Sequence, residues 1–306
     1  MNKKYLLGFS VLLLAFVTSA FTPIAAVQTS ADGVLKSDVA AMPVDPGKPD
    51  LILVDANSSL KASEKRTLSG DTFIKDVFER PFTSISMDYL PETDILSASI
   101  FTDPTYHYFT IKLAGLNKVD FKLSATYGIE FDVNKDGRGD FLVTATNPGK
   151  DWSSVGVSVY SDPNKDVGGP TPIWADSKLK VKGDGYETTL DNSTSAFARI
   201  DPTNEAAIQI AISRQLISDP KEFLWGAWAD GSPLSLQKLD FNDMFSLQEA
   251  GSPIKGDPTY PIKAVFAVDN TCRVAYGFQT TLNIPGMCIK AAPAKPAPKN
   301  PNTNPG

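Results

Sequence analysis

Histidine and cysteine are scarce in this sequence, which has one histidine and two cysteines among 306 residues. A Ser-His-Asp triad would have to use His107, and no serine lies in the GxSxG motif of a nucleophile elbow. The sequence also lacks the HExxH motif of zinc hydrolases and the phosphate-binding P-loop. We therefore expect a protein without catalytic activity. A hydrolase that uses two paired carboxylates is the alternative, since the chain carries 35 acidic residues.

Clusters of lysine and arginine are lacking as well. The chain has 29 basic and 35 acidic residues, which gives a net charge of −6. Proteins that bind nucleic acids or anionic membranes through their charge present basic patches. We expect no nucleic-acid partner, and the excess of carboxylates favours divalent cations instead.

The apolar run near the N-terminus, residues 6–17, is too short for a comfortable bilayer span. It follows Lys3 and Lys4 and precedes small residues that allow cleavage after Ala20 or Ala26, as in a secretory signal peptide. We expect export, cleavage and no membrane insertion afterwards, with an uncleaved anchor as the alternative. The mature protein is then secreted, and either extracellular or held at the cell surface.

Composition divides the rest of the chain. The stretch before residue 50 contains three closely spaced prolines, and the last residues are low-complexity Pro, Ala, Lys and Asn that cannot bury a core. The predicted organisation is a signal peptide (1–26), a flexible lead-in (27–49), a β-sandwich domain (50–290) and a Pro-rich disordered tail (291–306).

Alternation of apolar and polar residues with a period of two dominates the predicted domain. In HYFTIKL, the side chains of Phe109, Ile111 and Leu113 share one face, and YGIEFDV, VGVSVY and AIQIAIS repeat the pattern. Helix candidates are few, and the two best, Leu60–Arg80 and Phe241–Ala250, are weak. The pattern predicts an all-β fold, an antiparallel jelly-roll-like β-sandwich with a minor helix.

The segment DVNKDGRGD, between two predicted strands, places oxygen-bearing side chains at alternate positions. Gly137 lies at the sixth position of the loop, where a calcium loop turns sharply and a positive φ is needed. The predicted ligands of Ca²⁺ are Asp132, Asn134, Asp136, the carbonyl of Arg138, and Asp140. Val143 replaces the glutamate that an EF-hand has at the twelfth position, and strands flank the loop instead of helices. The loop resembles the DxNxDGxxD loops of dockerins, thrombospondin-type repeats and FG-GAP repeats, which implies a structural calcium site.

The same segment allows two other interpretations. One is a solvated Asp/Asn/Gly turn without a metal ion. The other is cell adhesion through the tripeptide Arg138-Gly139-Asp140, which requires an exposed Asp140 that no metal engages. In the calcium interpretation, a nearby carboxylate such as Glu130 could supply a further ligand.

A second acidic turn, SDPNKDVGG, repeats the alternate spacing with Asp162, Asn164 and Asp166. Val167 takes the place of the glycine, and no acid follows at the ninth position. A surface turn is the simpler interpretation of this segment.

Two of the four tryptophans, Trp152 and Trp174, lie in loop-like segments on either side of this second turn. Aromatic rings next to acids and amides are typical of sugar-binding surfaces, because the ring stacks on C–H groups while polar groups bind hydroxyls. We therefore expect a polysaccharide or a cell-surface glycan as the ligand, with Trp152 and Trp174 as contacts. The alternatives are that both rings cap the edge of the sandwich, and that the protein is a purely structural envelope component.

The two cysteines, Cys272 and Cys288, are predicted to form one disulfide. The expected compartment is oxidising, and no CxxC motif indicates a metal or redox site. Two free thiols are the alternative.

The segment TDILSASIFTDPTYHYFTIKLAG, followed by an alternating strand and an acidic loop, resembles exported β-sandwiches of the DOMON and family-9 carbohydrate-binding type. The matching part is Asp94–Gly115, and most of it is strand pattern. The resemblance implies an extracellular binding domain, but the family's ligand-binding tryptophan pair cannot be assigned here and no haem-ligating Met/His pair is evident. The segments FNDMFSLQEAGSP and AVDNTCRVAYGF are similar to uncharacterised exported bacterial proteins, which implies no known activity.

Overall fold

Antiparallel β-strands account for most of the regular structure in the computed structural model, which describes residues 41–68, 70–73, 76–165, 167, 185–192, 194–232, 244–280, 284 and 286–288. The strands are β1 (Leu51–Val54), β2 (Glu79–Arg80), β3 (Ile95–Thr102), β4 (Tyr106–Leu113), β5 (Thr126–Asp132), β6 (Phe141–Thr146), β7 (Val157–Ser161), β8 (Thr188–Leu190), β9 (Ala196–Asp201), β10 (Asn204–Ser213), β11 (Phe223–Asp230), β12 (Val268–Asn270) and β13 (Val274–Tyr276). A short α-helix, α1 (Leu247–Ala250), and 3-10 turns at Ser58–Leu60, Ala62–Glu64 and Arg214–Ile217 accompany them. In these described ranges, no helix is both long and apolar enough to cross a membrane.

The strands form two antiparallel sheets. Sheet 1 has the order β1-β3-β4-β10-β9, and sheet 2 has the order β2-β12-β11-β5-β6-β7-β8, with β13 also paired to β11. In the register of sheet 1, Ile111 of β4 lies opposite Ala98 of β3 and Ile208 of β10. In sheet 2, Trp225 of β11 lies opposite Phe131 of β5.

The apolar faces of the two sheets pack on each other and form the main core. Phe109 of sheet 1 packs against Phe131 and Trp225 of sheet 2, with ring centroids 5.4 and 5.1 Å away. All three rings are completely buried, and Ile111 and Leu113 belong to the same core. The odd-numbered residues of β4 therefore face the core, as their alternation indicates. The predicted all-β antiparallel sandwich with a minor helix is confirmed.

The segment Leu60–Arg80 is not a helix, contrary to the sequence-based prediction. It contains the 3-10 turn at Ala62–Glu64 and ends in β2. Gly70, in the middle, has a φ of +123°, which no residue of a right-handed helix adopts. In the second helix candidate, the described residues form α1, which begins with a capping box between Ser246 and Glu249.

His107, the single histidine, lies on the core face of β4. Its ring packs edge-to-face against Phe223 and Tyr276, at centroid distances of 5.1 and 5.9 Å. Its Nδ1 lies 2.8 Å from the hydroxyl of Thr102. Burial, reinforced by the positive charge of Arg214, lowers the pKa of His107 to about 4. A buried neutral imidazole between aromatic rings is a packing residue.

This placement predicts a loss of stability at acidic pH that depends on His107. Below pH ~6.5 the unfolded chain protonates this histidine while the folded state does not, so the free energy of unfolding decreases as the pH falls towards 4. At pH 5 we expect His107 to contribute roughly 2 kcal/mol of this decrease. Urea unfolding of the wild type and of His107→Gln at pH 7 and pH 5 measures it. An equal pH response in both proteins would contradict the neutral, buried state.

Candidate metal centre

Four acidic side chains meet where the edges of the two sheets come together. Asp55 directly follows β1, the edge strand of sheet 1, and Glu79 lies in β2, the edge strand of sheet 2. Asp269 of β12 is the direct strand partner of Glu79, and Asp94 directly precedes β3. The main-chain N–H of Ile95 donates to Asp269 Oδ2 at 2.6 Å, which ties the start of β3 to sheet 2.

Three of these carboxylates form a compact group. Asp55, Glu79 and Asp269 each offer one oxygen, and the three oxygens lie within 4.8 Å of one another. In the described part of the chain, this is the one group of three or more acidic, histidine or cysteine side chains so arranged. Glu79 and Asp269 are buried and Asp55 is half-buried. We call these three residues together with Asp94 the carboxylate cluster.

Hydroxyl and amide donors hold the cluster in place. The hydroxyl of Ser58 donates to Glu79 Oε1 at 2.5 Å, and the N–H of Ala56 donates to Asp55 Oδ1 at 2.9 Å. Asp94 Oδ2 accepts from the hydroxyl of Tyr89 at 2.5 Å and from the N–H of Ser59 at 3.2 Å. The 3-10 turn at Ser58–Leu60 thus supplies donors to two of the four carboxylates.

Three oxygens of the cluster have no hydrogen-bond partner among the described residues. They are Asp55 Oδ2, Asp94 Oδ1 and Asp269 Oδ1. None of the four carboxylates forms an ion pair with a described basic side chain either. Arg80, adjacent to Glu79 in the chain, is bound to Asp71 at 2.9 Å and to the carbonyls of Ala250 and Val265. Buried carboxylates are normally neutralised by a positively charged group. The cluster therefore either holds protons or binds a cation that the described residues do not supply.

The electrostatics of the cluster follow from this arrangement. Burial raises the pKa of Asp55 to about 7 and that of Asp94 to about 6. Burial and repulsion from the other members raise the pKa values of Glu79 and Asp269 well above their ordinary range. A cation that binds here must therefore displace protons, and the two occupants compete.

The carboxylate oxygens of the cluster indicate which kind of ion it could hold. Carboxylate oxygens are the ligands that hard divalent cations such as Ca²⁺ and Mg²⁺ prefer. The group can therefore hold a metal ion. It does not suit glycoside hydrolysis, which requires two carboxylates that a sugar can reach. Asp94 and Asp269 are completely buried, out of reach of a polymer.

The hairpin loop between β5 and β6 contains the ligands predicted from the sequence, but its carboxylates bind main-chain amides. Asp132 accepts from the N–H groups of Lys135, Asp136 and Gly137, and Asp140 accepts from those of Val133 and Asn134. Asp136 accepts from the N–H of Arg138 at 2.9 Å. Gly137 has a φ of +92°, as expected for the sharp turn at this position. Calcium coordination by the loop stays a prediction.

Other contacts engage Glu130, which precedes the loop, and the Arg-Gly-Asp tripeptide within it. Glu130 accepts from Arg273 Nε at 2.6 Å, so a buried guanidinium neutralises it. Its role as a further metal ligand stays a prediction. Gly139 is buried, and the carboxylate of Asp140 is bonded within the loop at 2.6 Å to the N–H of Val133. This geometry does not present the Arg-Gly-Asp tripeptide in the exposed form that adhesion requires.

The second acidic turn has the same local geometry as the hairpin loop. Asp162 accepts from the N–H groups of Lys165 and Val167, as Asp132 does from Lys135 and Gly137. Lys135 and Lys165 both have a φ near +65°, at 66° and 65°. Asp166 lies outside the described residues.

Of the two tryptophans predicted to contact sugars, the described residues include Trp152. Trp152 is half-buried, with the guanidinium of Arg199 over its ring at 4.4 Å and Tyr108 packed beside it at 6.1 Å. The guanidinium therefore occupies one face of the ring, and sugar binding by Trp152 stays a prediction. Trp174 lies outside the described residues. Cys272 and Cys288 form the predicted disulfide.

Comparison with protein-family models, with curated proteins and with solved structures gave no match. The resemblance to DOMON and family-9 carbohydrate-binding sandwiches therefore stays a prediction. Function has to be argued from the site itself.

The carboxylate cluster predicts that, without a bound cation, the protein becomes less stable as the pH rises. The folded state keeps protons on Asp55 and Asp94 that the unfolded chain releases near pH 4, so the free energy of unfolding falls from about pH 4 and levels off above about pH 6 to 7. In Asp94→Asn we expect this fall to shrink by roughly 1 to 2 kcal/mol between pH 5 and pH 8. Urea unfolding in EDTA across this range measures it. Asp136→Asn, in the hairpin loop, is the control and keeps the wild-type slope; an unchanged slope in Asp94→Asn would contradict the prediction.

Proposed function

We propose that this protein is an exported, non-catalytic β-sandwich module that binds Ca²⁺ in the carboxylate cluster and uses the ion to fasten its two sheets together. The observation that carries the proposal is the set of three unpartnered carboxylate oxygens at the junction of β1, β3 and β12. The signal-like N-terminus and the disulfide support export to an oxidising compartment.

Calcium is favoured over magnesium by the kind of site. Ca²⁺ accepts six to eight oxygen ligands in flexible geometry, whereas Mg²⁺ requires a near-octahedral arrangement and retains several waters. The cluster offers carboxylates from four separate chain segments and hydroxyls from Ser58 and Tyr89 close to them. A large ion with tolerant geometry fits such a set. Its role is structural, because the ion would replace the missing counter-charge among buried acids.

The decisive experiment compares the cluster with the hairpin loop. In millimolar Ca²⁺ against EDTA, we expect the melting temperature of the wild type to rise by roughly 5 to 10 °C, since an ion at about 100 times its Kd adds about 2.7 kcal/mol of stability. Asp269→Asn removes one negative charge of the cluster without changing side-chain size, and we expect it to abolish most of the rise. Asp136→Asn, the matched control in the loop, retains it.

Two other results would contradict calcium binding by the carboxylate cluster. A rise that survives in Asp269→Asn and disappears in Asp136→Asn would place the ion in the loop predicted from the sequence. If calcium does not change the melting temperature of the wild type, protons alone occupy the cluster, and the proposed function is wrong.

A second part of the proposal concerns the ligand of the module, for which carbohydrate is the expected class. A surface cleft of about 420 Å³ supports it, lined by Leu116, Phe121, Lys122, Leu123, Asn147, Pro148, Gly149, Lys150, Ile200 and Glu205. The ring of Phe121 is 73% exposed, with amide and charged side chains around it. An exposed ring beside hydrogen-bonding groups can stack on a sugar.

This assignment predicts that glycan binding depends on Phe121. In a glycan array we expect binding by the wild type to weaken at least tenfold in Phe121→Ser, about the effect of losing one stacked ring. Val119→Ser is the matched control, because Val119 is also highly exposed on the same loop but does not line the cleft. Binding that is lost equally in both variants, or no binding by the wild type, would count against a carbohydrate ligand.

A further inference from the structure

The outer face of sheet 1 carries a row of aromatic side chains, here called the aromatic groove: Phe101, Tyr106, Tyr108, Trp152 and Phe197. The rings contact one another, with Tyr108 at centroid distances of 5.8 Å from Phe101 and 6.1 Å from Trp152. Residues 41–49, here called the strap, lie across this groove. They belong to the stretch that the sequence assigns to a flexible lead-in, yet Pro43 is buried.

The groove holds the strap through the kinds of contact that bind extended peptides. Tyr106 donates its hydroxyl proton to the carbonyl of Ala41 at 2.7 Å, and the hydroxyl of Tyr108 accepts from the N–H of Val44 at 3.2 Å. Gly47 passes so close to Phe101 that an added Cβ would lie 2.8 Å from the ring. Aromatic side chains whose polar tips bind the main chain of a proline-containing segment are a recurring mode of peptide recognition.

Because of Arg199, a segment that binds in the groove needs an acidic side chain. Its guanidinium stacks on Trp152 at 4.4 Å, and its Nε donates to Gln209 Oε1 at 2.7 Å, so its position is fixed. The remaining Nη2 meets Asp45 of the strap at 2.6 Å. Because Arg199 is 9% exposed, a segment without an acid would leave its charge uncompensated.

The strap is held loosely enough to be exchanged. The side chain of Asp45 is 82% exposed although it forms the ion pair. Of the described main-chain hydrogen bonds, none joins residues 41–49 to sheet 1; the first, from Asp50 to Ile100, comes after the strap. Trp152 Nε1 is buried and has no acceptor among the described residues, so the groove has a donor that the strap does not use. Few contacts and exposed side chains characterise segments that open locally at low free energy.

We propose that the aromatic groove is a peptide-binding site for an extended segment with proline two residues before an acid and glycine two residues after it. The strap, with Pro43, Asp45 and Gly47, is its intramolecular ligand, and a partner protein that presents an exposed segment of the same chemistry binds there in exchange. Trp152 is then a peptide contact rather than a sugar contact. This site is independent of the carboxylate cluster.

The experiment releases the strap within the full-length chain and offers its sequence in trans. Asp45→Arg places a positive charge against Arg199 and expels the strap, and Gly47→Val does so sterically without altering any charge. A synthetic peptide of residues 41–49, AMPVDPGKP, is titrated into each protein by isothermal calorimetry. The tethered strap competes at millimolar effective concentration, so we expect both variants to bind the peptide at least tenfold more tightly than the wild type.

The chain itself supplies a matched control peptide, AAPAKPAPK from residues 291–299, which is rich in proline but basic. We expect it not to bind, and we expect Arg199→Gln combined with Gly47→Val to lose binding of AMPVDPGKP. Circular dichroism of each variant verifies that the fold is retained. Equal binding of the two peptides, or folded variants that bind AMPVDPGKP no better than the wild type, would overturn the proposal. A wild-type dimer that both variants abolish would identify a second copy of the chain as the partner.

Discussion

Burial of acidic side chains for which the described part of the chain supplies no matching base is the constraint that organises one end of this sandwich. An ionised carboxylate in an apolar surrounding is unstable unless a proton, a base or a metal ion compensates it. The carboxylate cluster draws its members from the end of β1, from β2, from the start of β3 and from β12. The cluster therefore lies between the edge of sheet 1 and the edge of sheet 2, and in the proposed function its occupant links the two.

A second buried set of acids in the same molecule is compensated from within. Arg273 donates to Glu130, lies 3.8 Å from Asp76 and also donates to the carbonyl of Gly137 at 3.0 Å. The adjacent Cys272 is fixed by the disulfide to Cys288. This guanidinium both neutralises its neighbours and anchors the hairpin loop. Among the described residues, the carboxylate cluster has no such basic side chain beside it.

Much of the fold could be predicted from the sequence, because the signals that determine it are local. The alternation in HYFTIKL assigns each residue of β4 to a face, and Gly137 marks the turn between β5 and β6. The carboxylate cluster could not be found this way. Its members are separated by up to 214 positions, from Asp55 to Asp269, and no spacing links them. The prediction of a helix over Leu60–Arg80 also placed Glu79 in the wrong kind of element, since it lies in β2.

The hairpin loop and the carboxylate cluster differ in what already engages their oxygens. The main chain that brings oxygen-bearing side chains together also brings N–H groups that compete for the same oxygens. Asp132 satisfies three such groups, and Asp140 two. In the carboxylate cluster, by contrast, the acids come from distant segments whose N–H groups are mostly engaged in strands, so three oxygens remain unpartnered among the described residues. This difference is the reason why we propose the cluster as the calcium site, while coordination by the loop stays a prediction.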